Sequence, residues 1–183
     1  MSYLRSLPPD AGMLQIWQTF PESVRPLLEY HEALLRGDSP LTIGERELIA
    51  AYVSGLNHCR YCHGVHSQTA SAFGIRLNTI GNLLSDWRQA NVNPRLRPIL
   101  GFVRKLTLSP TKITAADVDA IFAAGWNDRA LHDVVAVCAL FNLMNRLVNG
   151  LGVEASEDYI RMAAERAARG GYAQLLDFLR ESK

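Results

Sequence analysis

Apolar residues along this chain recur three and four apart almost everywhere, and the strict alternation of a half-buried strand is hard to find. Val24, Leu27, Leu28, Leu34 and Leu35 form one stripe on a helix that Pro21 suits as an opening residue and Gly37 stops. Thr42-Ile-Gly-Glu45 reads as a capping box for a helix carrying Leu48, Ile49, Tyr52, Val53 and Leu56, whose end Gly55 to Asn57 loosens. A second helix starts near His58 and Cys59 and closes at Gly74, and 75–87 is apolar enough for another. Pro94 opens a helix through Leu108, and Thr114-Ala-Ala-Asp117 caps one that Gly125 ends. Asn127 or Asp128 caps a long apolar helix over 129–149, and two amphipathic helices, 156–169 and 172–179, follow. The pattern predicts an all-α fold of about eight or nine helices.

A faint internal duplication is also visible. Laying Glu47 on Asp133 brings Ala50 onto Ala136, Cys59 onto Asn145 and Arg60 onto Arg146. On that reading the chemistry belongs to the first copy and the second is scaffold.

Composition narrows the classes. At 183 residues the chain suits a single domain, 1–183, and 48% hydrophobic against 20% charged residues supports a real core. Lys plus Arg total 19 against 18 for Asp plus Glu, so nothing electrostatic argues for a nucleic-acid or anionic-membrane partner. The longest charge-free apolar run, 134–145, includes Asn142 and Asn145 and falls short of the roughly 20 apolar residues of a membrane span. The first ten residues lack the basic and apolar regions of a signal peptide, so the expected compartment is the reducing cytoplasm. There, a close cysteine pair is more often catalytic or metal-binding than a structural disulfide.

That pair is the informative feature. Cys59, Cys62, His63 and His66 stand at relative positions 0, 3, 4 and 7, so all four can line one helical stripe. Two thiols so spaced can oxidise to a disulfide and be reduced again. A helix N-terminus beneath Cys59, a histidine one turn beyond Cys62, and the pairing itself all favour a thiolate, the species that attacks peroxide or disulfide. Glu47 stands twelve residues before Cys59, about 18 Å away along one straight helix. If the chain breaks near Gly55 to Asn57 and folds back, its carboxylate can reach and orient the His66 imidazole.

The same letters admit other chemistry. Cys59-Arg-Tyr-Cys62-His63 spells a haem-attachment string, which normally requires export. Cys59, Cys62 and His66 make three of four zinc ligands, with no second Cys-x-x-Cys to complete a structural site. Neither reading prevails, so no metal or cofactor is expected. The blandest alternative is two small buried thiols that happen to sit near histidines. Cys138, in the most apolar helix, reads as core, His31 as a surface or interface histidine, and Trp17, Trp87 and Trp126 as core or interface fillers.

Glu47, Cys59-x-x-Cys62 and His66, approached through Ser54-Gly-Leu-Asn, resemble the core motif of alkylhydroperoxidase AhpD-like proteins of the carboxymuconolactone decarboxylase-like superfamily. Ile113-Thr-Ala-Ala-Asp-Val-Asp and Phe141-Asn-Leu-Met-Asn-Arg146 resemble its peroxidase-related branch, so the likeness covers most of the chain, with a redox core at about 41–74. The resemblance implies an all-α homo-oligomer and a thiol-dependent peroxidase that uses no metal or haem, takes a hydroperoxide substrate and is recycled by a thiol or dithiol reductant protein. It implies that Cys62 attacks the peroxide, Cys59 resolves the sulfenic acid into a disulfide, and His66 and Glu47 relay the proton. The residue before the second cysteine, often histidine in such enzymes, is Tyr61 here. Helix-terminus reasoning alone favours Cys59 as the lower-pKa thiol. A redox switch built on the same disulfide is the competing function, and decarboxylation, known elsewhere in the superfamily, does not obviously need the pair. The long apolar helix and the amphipathic pair near the C-terminus independently favour a homo-oligomer.

Overall fold

Side-chain caps set the starts of three helices in the computed structural model, which describes residues 2–180. Thr42 and Glu45 form the reciprocal box expected of them: Glu45 N donates to Thr42 Oγ1 at 3.2 Å and Thr42 N to Glu45 Oε2 at 2.8 Å. Asn127 Oδ1 accepts from Ala130 N at 3.0 Å, and Ser156 Oγ accepts from Tyr159 N at 3.2 Å. Among the described residues the chain forms ten α-helices and no strand: α1 (Met13–Thr19), α2 (Pro21–Arg36), α3 (Ile43–Leu56), α4 (Arg60–Ala72), α5 (Leu77–Asp86), α6 (Leu96–Leu108), α7 (Ala115–Ala123), α8 (Asp128–Gly150), α9 (Glu157–Gly170) and α10 (Ala173–Arg180), with a 3₁₀ turn at Pro110–Lys112. The all-α class holds. The helix beyond the expected nine is α1, whose seven residues follow Gly12, which offers no capping side chain.

The core is centred on α3, where every residue from Arg46 to Ser54 is buried. A helix buried on all sides shows no amphipathic stripe, and here α4, α8 and α6 surround it. Arg46 is accommodated because its Nη1 donates to the carbonyls of Leu34 and Gly37, both at 2.7 Å, satisfying acceptors at the end of α2. The 23-residue α8 is long and apolar enough to cross a bilayer, yet 56% of its most apolar window is buried inside the fold, as in a core helix. Asp133 on α8 accepts from Ser39 Oγ at 2.6 Å and Arg129 Nε at 2.9 Å, fixing the α2–α3 linker.

The break between α3 and α4 positions the cysteines. His58 adopts φ +54°, the left-handed region, and its N–H donates to Gly55 O at 3.0 Å while Cys59 N donates to Ser54 O at 2.9 Å. The turn is tied to α8: Asn57 Nδ2 donates to Asn142 Oδ1 at 3.1 Å and Asn145 Oδ1 at 2.9 Å, and Asn145 Nδ2 donates to Ser54 Oγ at 3.0 Å. The faint self-alignment puts Cys59 on Asn145, inside unbroken α8, so the two segments differ in local structure although Glu47 and Asp133 are both buried.

His58 is exposed, so its backbone conformation is the main constraint on its identity. His58→Gly is expected to match or raise the denaturant midpoint, and His58→Val to lower stability by about 1 kcal/mol or more, because a β-branched residue tolerates this conformation poorly. A lower midpoint for the glycine variant would show that the imidazole itself holds the turn.

Candidate active site

The α3–α4 turn folds Glu47 back onto the second helix. Glu47 is fully buried, and its Oε2 accepts from His66 Nδ1 at 2.6 Å. The carboxylate thereby sets the tautomer, leaving Nε2 of His66 as the ring's free base position. Glu47 Oε1 accepts from Arg36 Nη1 at 2.7 Å and from the Tyr172 hydroxyl at 3.1 Å. Burial pushes the Glu47 carboxyl up, but the charges and hydrogen bonds of His66 and Arg36 outweigh it and hold the group below its usual range.

Sequence reasoning missed Arg36 and Tyr172. Arg36 also donates through Nη2 to Ala167 O at 3.0 Å and lies over the rings of Phe73 and Tyr172, at 5.3 and 5.0 Å. Tyr172 reaches the carboxylate from the turn between α9 and α10. Glu32 of α2 holds that turn, accepting from Tyr172 N at 2.6 Å and Ala173 N at 3.0 Å. Gly171 sits there at φ +64°, and a Cβ would lie 2.5 Å from Glu32 Oε2. Nothing in the local pattern around residues 36 or 172 announces a shared carboxylate. The only signal was a cation and a phenol bracketing apolar helix ends.

Cys59 is the N-cap of α4 and Cys62 lies in its first turn; both are buried and unbridged. The Cys59 thiol is lowered to about 7, chiefly by a hydrogen bond from the Cys62 thiol, with Cys62 N–H and the Asn145 side chain adding to it against the cost of burial. Cys62 moves the other way, well up, because its hydrogen bond to Cys59 and its own burial both keep it protonated. Of the two thiols Cys59 is therefore the more readily ionised, the direction in which the helix-terminus argument also points. Access points to the other thiol. Cys62 and His66 line a cavity of about 60 Å³, together with Trp17, His31, Phe141 and Tyr172, whereas Cys59 does not reach its wall.

His63 departs from the shared stripe. Its Nδ1 hydrogen-bonds the Ala51 carbonyl at 2.9 Å, and it does not line the cavity. Among the described residues no group of three His, Cys, Asp or Glu side chains converges as a metal site. Cys138 is core as expected, with burial pushing its thiol up.

His31 corrects the sequence reading. It is buried, its Nδ1 is 2.8 Å from Leu27 O, and its ring packs against Phe141 and Tyr172 at 6.0 and 5.2 Å between centroids. Its isolation on a polar-looking stretch, Glu29 to Glu32, concealed a helix face turned inward.

Residues 21–105, which carry Arg36, Glu47, both thiols and His66, match the model of the carboxymuconolactone decarboxylase family. Two solved structures align over most of the chain at 28% identity. One is an uncharacterized peroxidase-related protein from Silicibacter sp. TM1040, with a TM-score of 0.75 over 80% of this chain and 77% of that one. The other, described as an alkylhydroperoxidase AhpD core and an uncharacterized peroxidase-related protein, is from Ralstonia eutropha JMP134, with a TM-score of 0.74 over 81% and 78%. A protein of unknown function from Agrobacterium tumefaciens shares the fold at 19% identity and a TM-score of 0.67, over 80% of this chain and 99% of that one. No curated protein matches the chain.

Burial lowers the His31 pKa from the usual 6.5 to about 4. Between those values the unfolded chain binds a proton that the native state refuses, so stability falls as pH drops through this window. The loss is expected to approach about 3 kcal/mol at the lower end. His31→Gln is expected to flatten the slope of unfolding free energy between pH 6.5 and 4, measured by urea titration at several pH values. A variant slope equal to the wild-type slope would contradict this.

Proposed function

We propose that this chain, an AhpD-like member of the carboxymuconolactone decarboxylase superfamily, is a thiol-dependent peroxidase that cycles through a Cys59–Cys62 disulfide. The observation that carries this reading is the joint exposure of Cys62 and His66 to one cavity, with Glu47 fixing the histidine and a readily ionised Cys59 beside them. The peroxidase-related names of the two 28%-identical structures support it.

The two thiols divide the work. Cys62, the thiol on the cavity, gives up its proton and attacks the terminal oxygen of ROOH. The O–O bond breaks, an S–O bond forms, and the alkoxide leaves as ROH with a proton that His66 can deliver from Nε2. Cys59, already disposed to be a thiolate, then attacks the Cys62 sulfenic sulfur, forming the disulfide, and the departing hydroxide leaves as water with the proton that Cys59 had released. Two thiols and ROOH thus become a disulfide, ROH and H₂O. A dithiol reductant returns the electrons. Glu47 holds the imidazole and compensates a positive charge on it. Because Arg36 shares that carboxylate, the charge in the relay is balanced before substrate arrives. We further propose a homo-oligomer, to which exposed Leu77, Leu108 and Leu143 contribute apolar surface.

One equivalent of peroxide is expected to consume two thiols, and peptide mapping to find Cys59 joined to Cys62 with Cys138 reduced. Sustained peroxide consumption with a dithiol reductant supports an enzyme, whereas a single stoichiometric oxidation supports a redox switch. Glu47→Gln is expected to slow thiol oxidation by about 10²–10⁴-fold, the usual worth of acid–base assistance. Oxidation at the wild-type rate would remove Glu47 from the relay.

A further inference from the structure

Besides Tyr61, Tyr159 and Arg166, the cavity beside Cys62 is lined by two further polar side chains that the thiol chemistry does not use. Trp17 of α1 lines it, and the indole Nε1 is buried with no hydrogen-bond partner. Buried donors are rarely left so. His31 of α2 lines it as well. Its Nδ1–H donates to Leu27 O, so Nε2 carries the ring's lone pair. The residues lining the cavity thus supply a donor without a partner and a lone-pair acceptor, amid Leu14, Val65, Phe141 and Met144 and beside Arg166. The volume, about 60 Å³, suits a ligand of a few heavy atoms.

A hydroperoxide is a group that uses both. Its terminal O–H is a donor and its inner oxygen an acceptor. A pure hydrocarbon would leave the indole N–H unpaired. We propose that Trp17 and His31 bind a small hydroperoxide across the cavity, His31 Nε2 accepting the terminal O–H and the Trp17 indole N–H donating to the oxygen that departs as alkoxide. This presents the terminal oxygen to Cys62 and gives the leaving oxygen a hydrogen bond that strengthens as its charge develops. The assignment rests on the thiol-peroxidase reading for its purpose but not for its test. Trp17 lies outside the segment that matches the family model.

The test uses the full chain with Cys59→Ser and Cys62→Ser, which can bind a peroxide but not reduce it at these positions. Tert-butyl hydroperoxide is titrated while the three indole N–H resonances are followed in ¹H–¹⁵N spectra. The Trp17 signal is expected to shift, and that of Trp126, whose N–H already donates to Arg95 O at 2.8 Å, to stay in place. Trp17→Phe and His31→Leu are each expected to weaken binding about 3- to 10-fold, the worth of one neutral hydrogen bond, and His31→Gln to restore part of the loss. A Trp17 resonance that does not move under saturating peroxide would overturn the proposal, meaning that the indole is held by water or is only packing. That measurement keeps Trp17, so it stands even if its variants fold poorly. If the signal moves but the native thiols form no disulfide with peroxide, the peroxidase reading fails and the binding pair survives. If the disulfide forms and the signal is silent, the pair fails alone.

Discussion

A carboxylate with no exposure to solvent is the constraint on which this structure turns. Burying a charge without compensation is prohibitively costly, so Glu47 requires donors brought to it from elsewhere in the chain. Arg36 comes from α2, His66 from α4 and Tyr172 from the turn that joins α9 to α10. Meeting that demand fixes the relative placement of elements far apart in sequence. It fixes His66 as well, in ring orientation and tautomer, before any substrate is present. The electrostatic cost of Glu47 and the preorganisation of the histidine are therefore one feature seen from two sides.

The two cysteines show why the lower-pKa thiol need not be the first to react. A helix N-terminus favours a thiolate at its cap, and Cys59 occupies that cap. The attacking thiol must also meet substrate, and the cavity opens on Cys62 one turn later. In the proposed cycle, stabilising the negative charge on Cys59 gives the second step, attack on a sulfenic acid, a ready nucleophile. In that cycle Cys62 needs a proton acceptor at the moment of attack, and His66, one turn further along the same helix, offers Nε2. Division of labour follows from geometry that neither thiol could satisfy alone.

Local signals carried much of this into the sequence. Capping residues at Thr42, Asn127 and Ser156 marked helix starts, and Gly55 to Asn57 marked the break that lets Glu47 reach His66. Those are contacts between a residue and its near neighbours in the chain, which a pattern can reveal. Arg36, Tyr172 and Trp17 escaped because their roles depend on packing between distant helices, and side-chain identity says little about which buried partner it will meet. His31 was misplaced for the same reason. On a helix flanked by glutamates it looks solvated, and only the closure of Tyr172 and Phe141 over it makes it core.

The division between matched and unmatched segments carries a physical consequence. Residues 21–105 hold the thiols, the histidine and the carboxylate, yet the site they form is not closed by them. Phe141 of α8 meets the His66 ring edge-on at 4.3 Å between centroids, Tyr172 completes the carboxylate's hydrogen bonds, and Trp17 of α1 walls the cavity. A reactive thiol needs a dry, shaped surrounding as much as a base, because excluding water strengthens every charge interaction around it. The shape of the cavity is therefore set as much by α1, α2, α8 and the α9–α10 turn as by the helix that carries the thiols.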